Sequence, residues 1–180
     1  MGPQLTAERI DQLLEVTLAK SHQVRLYSAV MQAWQDWLAV LESHGFAARA
    51  MTRPPASEQD LDALSVKTGV AGELLDLYRI SDGQLPPWRS EEPGATELFP
   101  CARFVPAAEA LELWQEWQEP RVPFTVDADG GCLAIAATGE IVDMETGEVH
   151  AASLVAYLGE LARARLAITD DDGILTWDIV

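Results

Sequence analysis

The hydrophobic period changes near Leu98, and that change restricts the chain to few architectures. Before it, apolar residues recur every three or four positions, the spacing of helices buried along one stripe. After it, short apolar runs alternate with Gly-containing turns, the pattern of a strand meander. A later helical stretch follows the meander. Helices, then strands, then a covering helix specify an α+β fold rather than alternating α/β units. The 180 residues fit one domain. A chain of that length buries roughly 68–70% of its unfolded surface, so it needs no metal or disulfide staple.

Residues 6–19 carry Ile10, Leu13, Leu14 and Leu18 at helical spacing, with Thr6 as the expected N-cap. This extra N-terminal helix, residues 1–21, reads as an extension ahead of the main domain, residues 22–180. A second helix is predicted over 22–43, with Leu26, Val30, Trp34, Trp37, Leu38 and Leu41 on its stripe and Gly45 ending it. The two tryptophans read as core anchors. Arg53-Pro54-Pro55-Ala56 is a rigid connector. Ser57 opens the next helix, with Asp60 where a capping box prefers Glu, and Gly69 stops it. A short helix over 72–80 gives way to turn chemistry at Ser81-Asp82-Gly83. Residues 84–97 are Pro-rich and aperiodic, a surface loop whose Trp88 either touches a partner or folds over a helix end.

Residues 98–105 read as a strand region broken at Pro100, and Pro106 starts a helix to 118 bearing Leu111, Trp114 and Trp117. Strands are expected over 122–126, 132–136, 140–143 and 148–150. They are punctuated by Asp129-Gly130-Gly131, Thr138-Gly139 and Thr146-Gly147. A helix over 151–167, a turn over 170–173 and a last strand over 174–180 complete the reading.

Charge narrows the function. Twenty-nine acids stand against 12 Lys and Arg, a net −17, with pI near 4.3. Such a chain is a poor ligand for nucleic-acid phosphates or anionic lipid. Hydrophobic content of 48% and six Trp exclude a disordered acidic tail. The excess is uneven. Residues 1–90 hold 11 acids and 8 bases (−3), whereas residues 91–180 hold 18 and 4 (−14). An acidic second half either keeps the protein dispersed or forms a docking face for a basic partner. Cys101 and Cys132 sit in apolar runs without CxxC spacing, so both read as buried free thiols in a reducing cytoplasm. No signal peptide is visible, since Glu8, Arg9, Asp11 and Glu15 interrupt the first apolar stretch. No window approaches the ~20 apolar residues of a membrane span.

Catalytic signatures are missing from the sequence: there is no Walker loop, GxGxxG, HExxH or GxSxG. His22, His44 and His150 are scattered. Asp127-Ala128-Asp129-Gly130 resembles the opening of a calcium loop, but Ala136 stands where the bidentate Glu belongs. A hairpin turn accounts for the same residues. Asp170-Asp171-Asp172-Gly173 reads as an acidic turn, and Glu140, Asp143, Glu145 and Glu148 as a solvated face. No catalytic residue, metal or cofactor is expected, and an enzyme is disfavoured.

Several pieces in order resemble the SUKH superfamily, which includes the fungal cell-wall assembly regulator domain, Syd and many bacterial toxin-immunity proteins. They span about residues 30–167: the Trp34/Trp37-Leu38 helix; Pro54-Pro55-Ala56-Ser57 leading to the Leu61/Leu64 helix; and Leu74 to Gly83, like the family's Leu–Tyr helix and Asp-Gly turn. Leu98-Phe99-Pro100, Val122-Pro123-Phe124, Asp129-Gly130-Gly131, Thr146-Gly147-Glu148-Val149 and the Tyr157-Leu158 helix follow. Ala71-Gly72 replaces a Leu-Pro step common in the family, and residues 1–20 fall outside the likeness. The resemblance implies helices packed on one face of a mixed, mostly antiparallel sheet. It also implies binding instead of catalysis, most commonly neutralisation of a cognate toxin in the producing cell. A basic nuclease toxin fits the acidic second half, because its phosphate-binding surface complements it. The expected docking residues are Asp127, Asp129, Asp143 and Glu145, with Trp88 as an apolar anchor. The other reading is a regulatory scaffold of the cell-wall-regulator type, with no toxin partner.

Overall fold

Helix α1 (Ala7–Ser43) is continuous where the sequence predicts two helices, over 6–19 and 22–43. Lys20-Ser21-His22-Gln23 contains neither Gly nor Pro, so nothing local interrupts the backbone ladder. At 1.5 Å per residue its 37 residues extend about 55 Å. The computed structural model describes residues 7–85, 97–100, 102–164, 166–168 and 175–177. Thr6, Trp88, Cys101 and the acidic turn at 170–173 lie outside them.

The chain folds as a single α+β domain with its N-terminal helix. Of the expected stripe, α1 buries Val30, Trp34, Trp37, Leu38 and Leu41 and leaves Leu26 half-buried. Trp37 Nε1 donates to the Leu98 carbonyl at 2.8 Å, tying α1 to the start of the strand region. A short helix not foreseen, α2 (Ala48–Met51), precedes the proline connector. Helix α3 (Glu58–Thr68) begins and ends as its signals specify. Ser57 accepts from the Asp60 amide at 3.1 Å, and its hydroxyl donates to the Asp60 carboxylate at 2.6 Å. Gly69 takes the left-handed conformation that closes the helix.

Helix α4 (Glu73–Ile80) is buried along most of its length and packs against α1. Its ends organise the rest of the molecule. Strand β1 (Ala102–Phe104) leads into α5 (Ala107–Trp117), whose N-cap Pro106 has no side chain able to accept a hydrogen bond. Asp82, just past the end of α4, supplies that acceptor, receiving the Ala107 amide at 2.8 Å. Gly83 has φ of +80°, and an added Cβ would lie 2.7 Å from the Pro106 nitrogen. The Asp82-Gly83 dipeptide is therefore a junction between two layers. Helix α5 ends at Gln118, which adopts φ of 54° and closes the helix before Pro120.

The meander contains β2 (Val122–Pro123), β3 (Thr125–Asp127), β4 (Leu133–Ile135), β5 (Ile141–Asp143) and β6 (Val149–Ala151). The expected strand over 122–126 is split at Phe124. Its first part pairs with β4 and its second with β1. Thr125, fully buried, accepts the Leu133 amide with its hydroxyl at the switch. Strands β2-β4-β5-β6 form one sheet in that order. Every described pairing is antiparallel, so the expected mixed character has no parallel pair among the described strands.

Helix α6 (Leu154–Arg163) packs along α1 and is shorter than the helix expected over 151–167. Ser153 caps it at the Ala156 amide, and the backbone turns extended at Ala164. Residues Leu166–Ile168 instead form β7, which pairs with β8 (Leu175–Trp177). Cross-strand hydrogen bonding overrides the helical spacing there, and the β-branched Ile168 favours the strand.

Phe99 is the aromatic hub of the core. It lies 5.6 to 6.2 Å, centroid to centroid, from Trp34, Phe104, Phe124 and Tyr157, thereby joining α1, β1, the β2–β3 switch and α6. Tyr78 of α4 stacks on Phe104 and donates its hydroxyl to the Val105 carbonyl. Edge-to-face and offset pairs of this kind add about 0.5–1.5 kcal/mol each beyond their buried area.

Candidate functional site

Two aspartates build the turns of the meander and turn its charge toward one face. Asp127 Oδ1 accepts the amides of Asp129 at 2.9 Å and Gly131 at 2.7 Å. A Cβ at Gly131 would stand 2.5 Å from Asp127 Oδ2, so a larger residue there would have to displace that carboxylate. Asp143 Oδ1 accepts the amides of Glu145 and Thr146 and the Thr146 hydroxyl, at 2.7–2.9 Å. The Thr146 amide first, helped by the Thr146 hydroxyl, the Glu145 amide and the charge of His150, holds the Asp143 carboxyl below its ordinary pKa against the opposing effect of burial. The calcium-loop opening is thus a β3–β4 turn organised by backbone amides.

The four acids predicted for docking converge around one point. Asp127 and Asp143 line a cavity of about 490 Å³ between the meander and α6. Asp129 and Glu145 line the neighbouring groove, where Trp117 and Glu119 join them. Gly131 and Cys132 belong to both depressions. Asp129 and Glu145 are exposed, and among the described residues their side chains bond to nothing. The fifth predicted residue, Trp88, lies outside the described residues.

Local electrostatics register the accumulation of negative charge. Burial first, and then the charges of Asp143 and Asp127, push the Cys132 thiol up to about 12. The raised pKa keeps the thiol protonated at neutral pH, and Cys132 is buried as the sequence reading expects. Glu97 is raised by burial and then by Asp127. Two arginines of the acidic half are already engaged: Arg103 with Glu109, and Arg121 with Glu119 at 3.2 Å. Among the described residues, no direct ion pair compensates the four acids around Gly131.

Sequence reasoning missed three contributors to this face. Tyr157 lies on the apolar stripe of α6 with Leu154, Leu158 and Leu161, and its ring stacks on Phe99. It also lines the cavity, where His150 meets its ring edge-on at 6.4 Å. Glu160, one turn later on α6, adds a third carboxylate beside Asp127 and Asp143. The i, i+3 spacing of Tyr157 and Glu160 was the one signal available, and it shows a shared helix side without showing what lies opposite.

Among the described residues no group of three or more His, Cys, Asp or Glu side chains is arranged to hold a metal. No described helix is long and apolar enough to cross a membrane. No protein-family model matches the chain, and no curated protein matches it.

Proposed function

We propose that this chain is a non-catalytic protein-binding domain of the SUKH type, an immunity protein that neutralises a basic nuclease toxin in the cytoplasm of its producing cell. The observation that carries the reading is the convergence of Asp127, Asp129, Asp143 and Glu145 on one face around Gly131 and Cys132. Two of these acids are anchored by turn hydrogen bonds, so the charges sit on a rigid platform instead of long mobile side chains. Preorganised charge steers a basic partner and lowers the ordering cost of docking. The order of SUKH-like segments along the sequence supports the same reading, as does the −14 balance of residues 91–180.

The test is to co-purify the partner and follow association by stopped flow over a salt series. Reversing Asp129 and Glu145 to Lys leaves the turn acceptors intact and should lower the association rate about tenfold at low salt. The salt dependence should flatten with it. An unchanged rate and salt slope would remove this face from the interface. A toxin-coding reading frame beside the gene favours immunity, and its absence favours the regulatory-scaffold reading.

A further inference from the structure

We propose that the N-terminal half of α1 pairs antiparallel with the same segment of a second copy of this chain. Helix α1 carries two apolar stripes. Val30, Trp34, Trp37, Leu38 and Leu41 enter the core of the domain. At about 100° per residue, the positions of Ile10, Leu13, Leu14, Val24 and Met31 centre roughly 110° further round the helix. The helix is continuous across Lys20-Ser21-His22-Gln23, so the second stripe keeps that offset and cannot share the core contact. Its described members bear this out: Val24 is 65% exposed and Met31 42%, while Val30 beside Met31 is fully buried. A helix of this kind is normally held by burying its apolar stripe against another element. Among the described residues nothing covers Val24 or Met31 to that extent.

The occupant is a second copy because the segment is self-complementary about its own middle, as a two-fold interface requires. Residues 8–15 hold Glu8, Asp11 and Glu15 against Arg9, a net −2, and residues 20–25 hold Lys20 and Arg25, a net +2. Antiparallel pairing lays each stretch alongside the opposite one and sets the two helix dipoles in opposition. The heptad spacing then matches position 10 with 27, 13 with 24 and 17 with 20 of the other copy. That register sets Ile10 against Tyr27 and Leu13 against Val24 on either side of a central Thr17–Lys20 layer. A single polar layer in an apolar seam fixes register. Charge also selects the orientation, since each copy carries −14 in residues 91–180. Parallel pairing brings those halves to the same end of the pair. The antiparallel register places the two Val30 positions about 35 Å apart along the helix axis, several Debye lengths.

Sedimentation equilibrium of the full chain over a concentration series should show a reversible dimer of the 19.7 kDa chain. Val24→Glu, at an exposed position, should raise the dimer dissociation constant about hundredfold or more, because each dimer loses two buried apolar side chains. Leu13→Glu should act in the same direction. Val66→Glu, at an 84% exposed position of α3, should leave the constant unchanged. Circular dichroism checks that each variant keeps its helices, and Val24→Glu carries the test if Leu13→Glu does not. Orientation is read by oxidative cross-linking. A mixture of Leu13→Cys and Val24→Cys proteins should form disulfide dimers above the wild-type background, and neither protein alone should. Monomer mass at every concentration overturns the proposal and leaves the stripe to a different protein. A dimer indifferent to Val24→Glu and Leu13→Glu also overturns it, as does cross-linking of either cysteine variant with itself. All of these outcomes concern α1 and leave the acidic docking face as proposed.

Discussion

The acids around α4 and those of the meander have opposite fates. Glu73, at the start of α4, accepts the Val155 amide at 3.0 Å and so caps α6 across 82 residues of sequence. Asp82, just past its end, caps α5. Asp76 between them is 2% exposed and pairs with Arg79 at 2.8 Å. Glu73 and Asp82 are consumed by tertiary structure, and Asp76 by an ion pair within its own helix. Among the described residues of the meander, Asp127 and Asp143 bond only to amides and a hydroxyl within four residues, and the side chains of Asp129 and Glu145 bond to nothing. An acid that stitches distant elements contributes to folding, whereas an acid that holds its own turn leaves the remaining charge facing outward. Net charge per segment does not distinguish the two.

Substitution can break this comparison, and the largest effect is expected at the α4 junction. Gly83→Ala combines a left-handed backbone with a methyl pressed against the Pro106 nitrogen, and should cost about 3–5 kcal/mol in denaturant unfolding. Gly130→Ala has a similar φ of +90° but open space around it, and should cost only about 1–2 kcal/mol. Equal losses would mean that the junction is no tighter than a surface turn.

Asp82→Ala comes next. Losing the α5 cap should cost about 1–2 kcal/mol, while Asp82→Asn, which retains an oxygen acceptor, should recover most of it. Glu73→Ala should lose about 0.5–1 kcal/mol, less than Asp82→Ala because Ser153 also caps α6. The double change Asp129→Asn with Glu145→Asn should shift stability by no more than about 0.5 kcal/mol, since neither side chain bonds to another described residue. A large loss there would show that the meander acids are structural after all.

The smallest effect is one of pH. Because the folded-state pKa of Asp143 is depressed, its carboxylate stabilises the fold above the ordinary aspartate pKa. That contribution disappears as pH falls through the depressed value. Asp143→Asn should keep the turn but reduce the slope of stability against pH in the acid range, measured by thermal unfolding. Cys132 supplies a parallel check: peptide mapping after iodoacetamide at pH 8 should find it unlabelled in the folded protein and labelled after unfolding.

Much of the helical half is legible in the sequence because its signals are local. The Ser57/Asp60 cap and the Gly69 stop bound α3 within a residue, and the Trp34/Trp37 stripe identifies the core face of α1. The strand positions of the meander follow from turn glycines for the same reason. Where the sequence reading departs from the structure, the deciding partner lies elsewhere. The backbone alone does not say whether residues 166–168 finish a helix or pair with 175–177. Likewise, periodicity places Tyr157 on the apolar stripe of α6 but cannot show that the stripe borders a cavity walled by β3, β4 and β5.

By itself the sequence determined the α+β class, the tryptophan core and the acidic character of the second half. Hydrophobic period, capping residues and formal charge are properties of neighbours along the chain. Only the tertiary structure decided which acids became caps and which remained outside, and that four of them meet around Gly131. Capping across 82 residues and convergence of separate turns depend on how elements pack, and no local spacing encodes that distance.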